Sequence, residues 1–267
     1  MYPIIFFLYA IRRVGELEKV NHRQYFSFRS TFTPHTTSTP TTSDVTFVIE
    51  NAKECSFPRA WPGTTVFYST NMQKWGRVLS TSYQDGRLTW SFDFSTSPSN
   101  VVYFSYFPPY SYERHLKLIS VCATSNSKGR ATVKTLGKTL DGREIDCITI
   151  GNGPTVGWVI HRQHPGETMA EYFAEGLLMR LLGDTSNDNM VQDELAKQAL
   201  DRFTFHIIPN MCPDGSVRGY LRTNSCGANL NREWCSTGDY TVGERCQKKA
   251  IVILTSLQGF SLVVFVF

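Results

Sequence analysis

The spacing of hydrophobic residues changes near Ser125, and this change constrains the fold more than any other feature. From Val45 to about Cys122, apolar and polar residues alternate in short runs, and turn-forming pairs such as Asp85-Gly86 separate the runs. Alternation with a period of two is typical of strands that bury one face. The sequence therefore predicts an antiparallel β-sandwich over residues 44–124, with strands at 45–50, 64–70, 87–94, 101–110 and 116–122.

The pattern after Ser125 is typical of an α/β domain. Two apolar runs flank Asp141-Gly142, which is a strong hairpin signal. The pattern then predicts a strand at 156–160, helices at 168–182 and 191–200, and a strand at 203–208. We therefore expect a partial α/β/α domain with a mixed sheet over residues 125–267, and a ligand site beyond the carboxyl ends of its strands.

The two ends of the chain have unusual compositions. An apolar stretch at 1–10 is too short to span a bilayer, and the stretch at 29–43 is rich in Ser, Thr and Pro. Because such segments bury little apolar surface, we predict that residues 1–43 are disordered. Residues 250–267 carry no charge, so they are either a buried element of the domain, which we favour, or a short membrane segment.

Charge and cysteine usage exclude some functions. The net charge of +4 is spread along the chain without a basic block, so we expect no nucleic-acid partner, and we expect no membrane partner either. The seven cysteines are never spaced as CxxC. This usage indicates reduced thiols and a cytoplasmic protein rather than a disulfide framework.

A first polar cluster, His164-Pro165-Gly166-Glu167, follows the strand at 156–160. Pro and Gly favour the two central positions of a tight turn, with Gly at a positive φ, so His164 and Glu167 become its outer residues. Imidazole and carboxylate are ligands of catalytic zinc, which usually has three protein ligands and a water. The alternative is a strand-end turn whose Glu caps the next helix; the position of the cluster favours the metal.

A second polar cluster follows the strand at 203–208. Arg binds carboxylates through bidentate hydrogen bonds and stabilises a developing oxyanion, and Asn adds an amide donor. The alternative is a solvated surface loop. Together with a metal, this cluster would suit hydrolysis of a terminal peptide bond. Its members are Asn210, Asp214, Arg218, Arg222, Asn231 and Arg232.

Two segments, RQHPGETMAEYFAEGLLMRLL and IPNMCPDGSVRGYLRTNSCGANLNREW, closely resemble the zinc metallocarboxypeptidases. The likeness is to the cytosolic carboxypeptidase branch, which includes tubulin deglutamylases, and it covers about residues 45–234. The resemblance implies a zinc enzyme that removes C-terminal amino acids, glutamates being one candidate, from peptide or protein tails, with tubulin as one candidate partner.

The resemblance also implies roles for individual residues. His164 and Glu167 match the first two zinc ligands, and Arg222 matches the catalytic residue that polarises the scissile carbonyl. Asn231 and Arg232 match the pair that binds the terminal carboxylate of the substrate.

The sequence departs from the family pattern after Trp234. The family implies a further His ligand and a Glu general base downstream, but no His follows His206, and Glu244 comes too early. We therefore expect that the chain stops in mid-domain and that its activity is impaired. The alternative is a non-catalytic fragment that acts as a peptide-tail binding module or as a regulatory module. Two other histidines are candidates for the missing ligand. His161 belongs to the end of the strand at 156–160, and His206 lies in the middle of the strand at 203–208. We expect His206 to be a packed strand residue.

Overall fold

The computed structural model describes residues 4–8, 22–33, 43–125, 131–183, 193–232 and 262–266. The chain divides into two compact units, and the division among these residues falls between Pro109 and Tyr110. The α/β fold class expected from the sequence is confirmed, with a β-rich unit followed by a mixed α/β unit.

The described residues of the first unit form two four-stranded sheets. The orders are β1-β3-β7-β6 and β2-β8-β4-β5. All strand pairs are antiparallel except β1 with β3, which is parallel. The strands are β1 (Ile4–Leu8), β2 (Ser27–Thr31), β3 (Asp44–Ile49), β4 (Val66–Ser69), β5 (Gly76–Val78), β6 (Ser82–Gln84), β7 (Arg87–Asp93) and β8 (Val101–Ser105).

Alternation explains the core of this unit. Leu88 and Trp90 on β7 are fully buried, and Phe47 on the adjacent β3 and Phe104 on β8 of the other sheet join them in one cluster. The Phe47 and Trp90 rings stack with centroids 5.5 Å apart. Aromatic side chains bury a large apolar area, so this cluster is the main source of stability of the unit.

The expected disorder of residues 1–43 needs correction. Ile4–Leu8 pairs with β3, and Ser27–Thr31 pairs with β8. The physical reason is the aromatic content of residues 26–32: Phe26, Phe28 and Phe32 pack against the core cluster, which offsets the entropy of ordering the segment. The Ser/Thr/Pro residues 34–42 lie outside the described residues.

Among the described residues, the second unit has four α-helices and a five-stranded mixed sheet. Its helices are α1 (Tyr112–Ser125), α2 (Thr168–Leu182), α3 (Glu194–Arg202) and α4 (Pro213–Arg218), and its strands are β9 (Ala131–Lys138), β10 (Glu144–Ile150), β11 (Thr155–Ile160), β12 (Phe203–Ile208) and β13 (Leu262–Val266). The strand order is β13-β11-β12-β10-β9, with β11 parallel to both β12 and β13. Residues of α1, α2 and α3 form one core cluster with β10, β11 and β12.

The strand predicted at 116–122 is wrong, because this segment lies within α1. The buried residues of α1 are His115, Leu118, Cys122 and Ser125. Their spacing of three to four residues is that of one face of a helix. The boundary between the units consequently precedes α1 rather than following it.

The apolar segment 250–267 is described only at 262–266, which form β13 beside β11. Within the described part of the chain, no helix has the length and apolar character needed to cross a bilayer.

Candidate active site

Both polar clusters begin at the same edge of the sheet. β11 and β12 run parallel, and Ile160 pairs with Ile208 at their carboxyl ends. Beyond the strands, the His161 amide donates to the Ile208 carbonyl at 2.9 Å, and the Met211 amide donates to the His161 carbonyl at 3.0 Å. The two segments therefore leave the sheet side by side, where an α/β sheet places its ligands.

His164-Pro165-Gly166-Glu167 forms a tight turn, closed by the Glu167 amide donating to the His164 carbonyl at 3.1 Å. The expected positive φ of Gly166 is wrong, since Gly166 is not among the positive-φ glycines of the chain. Glycine is needed here for close approach: a Cβ atom would lie 2.8 Å from the Leu221 carbonyl oxygen. The Gly166 amide donates to that oxygen at 2.9 Å, so the turn is bonded to the second segment.

The candidate ligand atoms of this turn converge. Nδ1 of His164 lies 3.0 Å from both Oε1 and Oε2 of Glu167. Two atoms that bind one zinc ion at ~2.0–2.2 Å lie roughly 3–3.5 Å apart, so the spacing fits a shared ion. Glu167 occupies the N-cap position of α2, but its side chain makes no capping hydrogen bond. The alternative of a helix-capping Glu is therefore wrong.

Asn229, which sequence reasoning missed, orients the His164 ring. Its Oδ1 atom lies 3.2 Å from His164 Nε2 and also accepts the Asn231 amide at 3.1 Å. Because a backbone amide can only donate, this atom must be the oxygen, and His164 Nε2 must carry a proton. With Nε2 directed at an oxygen acceptor, Nδ1 is the ring nitrogen that is placed to bind a metal, an arrangement common for histidine ligands.

The remaining candidate residues lie on segments that are bonded to the turn. Arg222 follows Leu221, and its side chain is half-buried. Asn231 and Arg232 are exposed in a short 3-10 helix, Leu230–Arg232, which is joined to His164 through Asn229. That Arg222 and Asn231 point toward the zinc ligands stays a prediction.

Three other members of the second cluster have a structural role. Asp214 is 3% exposed and accepts hydrogen bonds from Thr139, Arg143 and Ser225. Arg218 pairs with Asp141 at 2.6 Å. The solvated-loop alternative is therefore wrong for Asp214, and also for Asn210, which is 2% exposed.

His206 does not reach the turn. Its Nδ1 atom lies 2.8 Å from Thr149 Oγ1 on β10, and its ring lies 4.6 Å from the Trp158 ring on β11. It is thus the packed strand histidine that was expected. Among the described residues, no group of three or more His, Cys, Asp or Glu side chains could hold a metal ion.

Comparison with known proteins shows to which family the chain belongs. Residues 10–107 match the model of the cytosolic carboxypeptidase N-terminal domain, and residues 119–250 match the model of zinc carboxypeptidases. The chain belongs to the zinc metallocarboxypeptidase family. The two matches follow the order of the two units, the β-rich unit first and the mixed α/β unit second.

Individual relatives agree with this assignment. A metallo-carboxypeptidase from Burkholderia cenocepacia is 34% identical, with a TM-score of 0.73 over 87% of this chain and 57% of its own. A metallo-carboxypeptidase from Pseudomonas aeruginosa is 27% identical, with a TM-score of 0.77 over 99% of this chain and 64% of its own. Cytosolic carboxypeptidase 2 of Xenopus tropicalis is 32% identical over 57% of this chain.

The chain is shorter than these relatives. An uncharacterized protein of Zymomonas mobilis is 46% identical over 70% of this chain, yet the match spans only 46% of that protein. The match to the Xenopus carboxypeptidase spans 16% of its length. The activity, substrates and partners of the whole relatives are therefore proposals for this chain.

Proposed function

We propose that this chain contains the first half of a zinc-dependent metallocarboxypeptidase site that acts on the C-terminal residues of peptides or proteins. The observation that carries the proposal is the His164–Glu167 pair. His164 Nε2 faces the Asn229 side-chain oxygen, and His164 Nδ1 faces two carboxylate oxygens of Glu167 at 3.0 Å. An imidazole nitrogen and carboxylate oxygens at this distance form a donor set that zinc takes.

When bound, zinc would act as a Lewis acid toward the scissile carbonyl and would lower the pKa of a bound water. The residues of this chain hold and orient the reactants. Arg222, half-buried beside the turn, would stabilise negative charge on the scissile carbonyl oxygen. Asn231 and Arg232, both exposed, would bind the terminal carboxylate through charge-assisted hydrogen bonds.

We further propose that turnover by this chain alone is impaired. Two ligands hold zinc more weakly than the three of a typical catalytic site. The resemblance implies a Glu general base well downstream of Arg232, and Glu244 comes too early in the sequence to match it; such a group contributes ~10²–10⁴ in rate. Tails that end in glutamate, those of tubulin included, are the substrates we propose, because the sequence resembles the branch that includes tubulin deglutamylases.

A cytoplasmic location is also proposed. Four buried cysteines of the described residues, Cys55, Cys122, Cys147 and Cys212, are in no disulfide. Free buried thiols persist in reducing compartments.

The alternative function is binding of peptide tails without hydrolysis. The exposure of Asn231 and Arg232, together with the two-ligand metal site, favours it. An anion-binding pair depends on the local fold and not on a general base, so binding can outlast catalysis.

One experiment separates these functions. Peptides that end in glutamate are incubated with the chain and zinc, and binding and released glutamate are both measured. The matched control is the same peptide with an amidated C-terminus. We expect binding of the free-acid peptide that is lost in Arg232→Ala, and release near background. Equal binding of the amidated peptide would contradict the carboxylate site, and rapid release that survives His164→Ala would contradict the zinc site.

A further inference from the structure

A buried carboxylate on α2, Glu171, lies between the two segments of the candidate site. It is fully buried, at 0% exposure. Its Oε2 atom accepts hydrogen bonds from Arg162 Nη1 at 2.6 Å and from Asn210 Nδ2 at 3.1 Å. Arg162 precedes the His-Pro-Gly-Glu turn, and Asn210 begins the loop that leads to Arg222. One carboxylate therefore contacts both segments.

Arg162 also makes a hydrogen bond to the turn itself. Its Nε atom donates to the Pro165 carbonyl at 2.9 Å, and its Nη1 atom also donates to the Tyr110 carbonyl at 2.9 Å. Arg162 has a φ of 49°, in the left-handed region that side chains other than glycine rarely adopt. A buried guanidinium fixed at three acceptors explains why this conformation persists.

The other oxygen of Glu171 is held by His115 on α1. His115 Nδ1 lies 2.7 Å from Glu171 Oε1, and His115 Nε2 lies 3.2 Å from Asp146 Oδ2 on β10. Because both ring nitrogens face carboxylates, a doubly protonated ring satisfies both contacts. The charges of His115 and Arg162 then balance those of Asp146 and Glu171, as a buried cluster requires.

We propose that Glu171 is the positioning residue of the zinc site: through Arg162 and Asn210, its carboxylate fixes the His164–Glu167 turn against the loop that carries Arg222. Glu171 does not touch the proposed zinc ligands and acts only through these neighbours. The proposal rests on the proposed zinc site for its effect on metal binding. Its effect on the turn stands on the contacts alone.

Glu175, one turn further along α2, is a matched comparison. It accepts two hydrogen bonds from Arg114 of α1, at 2.8 and 3.1 Å. Glu171 and Glu175 thus both link α2 to α1 through a basic side chain. Glu171 differs from Glu175 in that it also accepts hydrogen bonds from Arg162 and Asn210. A role limited to helix docking would give the two residues similar effects on the turn.

The test compares Glu171→Gln with Glu175→Gln in the full chain, each first shown to be folded by circular dichroism. Amide hydrogen exchange at Gly166 and Glu167 is measured without metal, and zinc affinity is measured by competition with a chelator. We expect Glu171→Gln to lose protection of both amides and to weaken zinc binding ~10–100-fold, the usual effect of losing a group that orients metal ligands. Glu175→Gln should leave both quantities at wild-type values.

Wild-type protection and zinc affinity in Glu171→Gln, or equal losses in Glu175→Gln, would overturn the proposal. If Glu171→Gln does not fold, Arg162→Lys replaces it, since Lys keeps the charge but lacks the second nitrogen that reaches Pro165. Unchanged protection in Arg162→Lys would equally overturn the proposal. If the wild-type chain binds no zinc, the proposed function fails, and the exchange measurement alone decides the role of Glu171.

Discussion

The two units of the chain bury different kinds of polar group. In the first unit, the buried polar residues that the structure describes are uncharged: Gln24, Ser69 and Ser105. In the second unit they include seven titratable or charged side chains, namely His115, Asp146, His161, Arg162, His164, Glu171 and Asp214. Buried charge contributes little net stability but fixes geometry when it is fully paired. We infer that packing stabilises the first unit, whereas paired charge in the second unit orders the candidate site.

The largest effect on stability is expected in the aromatic core of the first unit. Trp90 is fully buried and stacks on Phe47 and Phe26. Trp90→Ala should lower the free energy of unfolding of that unit by about 3–5 kcal/mol, because it leaves a large cavity. Chemical denaturation followed by circular dichroism measures this loss. Trp90→Phe, which keeps a ring, is the control, and an equal loss in both variants would contradict the packing argument.

A pH-dependent effect is expected in the second unit. Desolvation opposes protonation of buried His115, but its hydrogen bonds to Asp146 and Glu171 outweigh it and raise its pKa from 6.5 to about 9. The raised pKa stabilises the folded state fully below pH 6.5, and this stabilisation is lost as the pH rises through about 9. Its size is on the order of 3 kcal/mol.

Unfolding free energies of wild type and His115→Gln, measured from pH 6 to pH 10, test this. The difference between the two proteins should shrink as the pH rises, since the wild-type ring loses its proton. A difference that stays constant across the range would show that the protonated form of His115 contributes nothing.

A smaller effect is expected at the hairpin between β9 and β10. Asp214 accepts four hydrogen bonds, from Thr139 Oγ1, Arg143 Nη1, the Asp141 amide and Ser225 Oγ. Asp214→Asn replaces one acceptor oxygen with an amide NH₂ group, which then faces hydrogen-bond donors. We expect the free energy of unfolding to fall by about 1.5–3 kcal/mol, the range for hydrogen bonds to charged groups. Thermal unfolding measures this cost. Asp141→Asn, at a more exposed carboxylate, should cost less, and the reverse order would contradict the comparison.

The sequence predicted the elements that have a clear period. Alternation located the strand at 87–94, observed at Arg87–Asp93, and helical spacing located the helix at 168–182, observed at Thr168–Leu182. α1 was missed although His115, Leu118 and Cys122 follow a helical spacing, because the β-branched and aromatic residues around them favour strands.

The candidate site was only partly predictable. Polar residues after strands pointed to His164, Glu167 and the second cluster, because local patterns carry that signal. Asn229 and Glu171 gave no comparable signal. They meet His164 and His115 across 65 and 56 residues of chain, and contacts over such separations leave no periodic trace in one sequence. The sequence Asn229-Leu230-Asn231 is typical of a turn in which an Asn side chain accepts a hydrogen bond from a backbone amide two residues later. This local pattern was the available indication of the position of Asn229.

Zinc binding tests the central claim most directly. Zinc affinity is measured by chelator competition for the wild-type chain, His164→Ala and His206→Ala. His206 is the matched control, since it is a histidine of the same sheet that bonds to Thr149. We predict that the wild-type chain binds one zinc ion, which is retained in His206→Ala and lost in His164→Ala. Zinc bound equally by His164→Ala, or lost in His206→Ala, would contradict it.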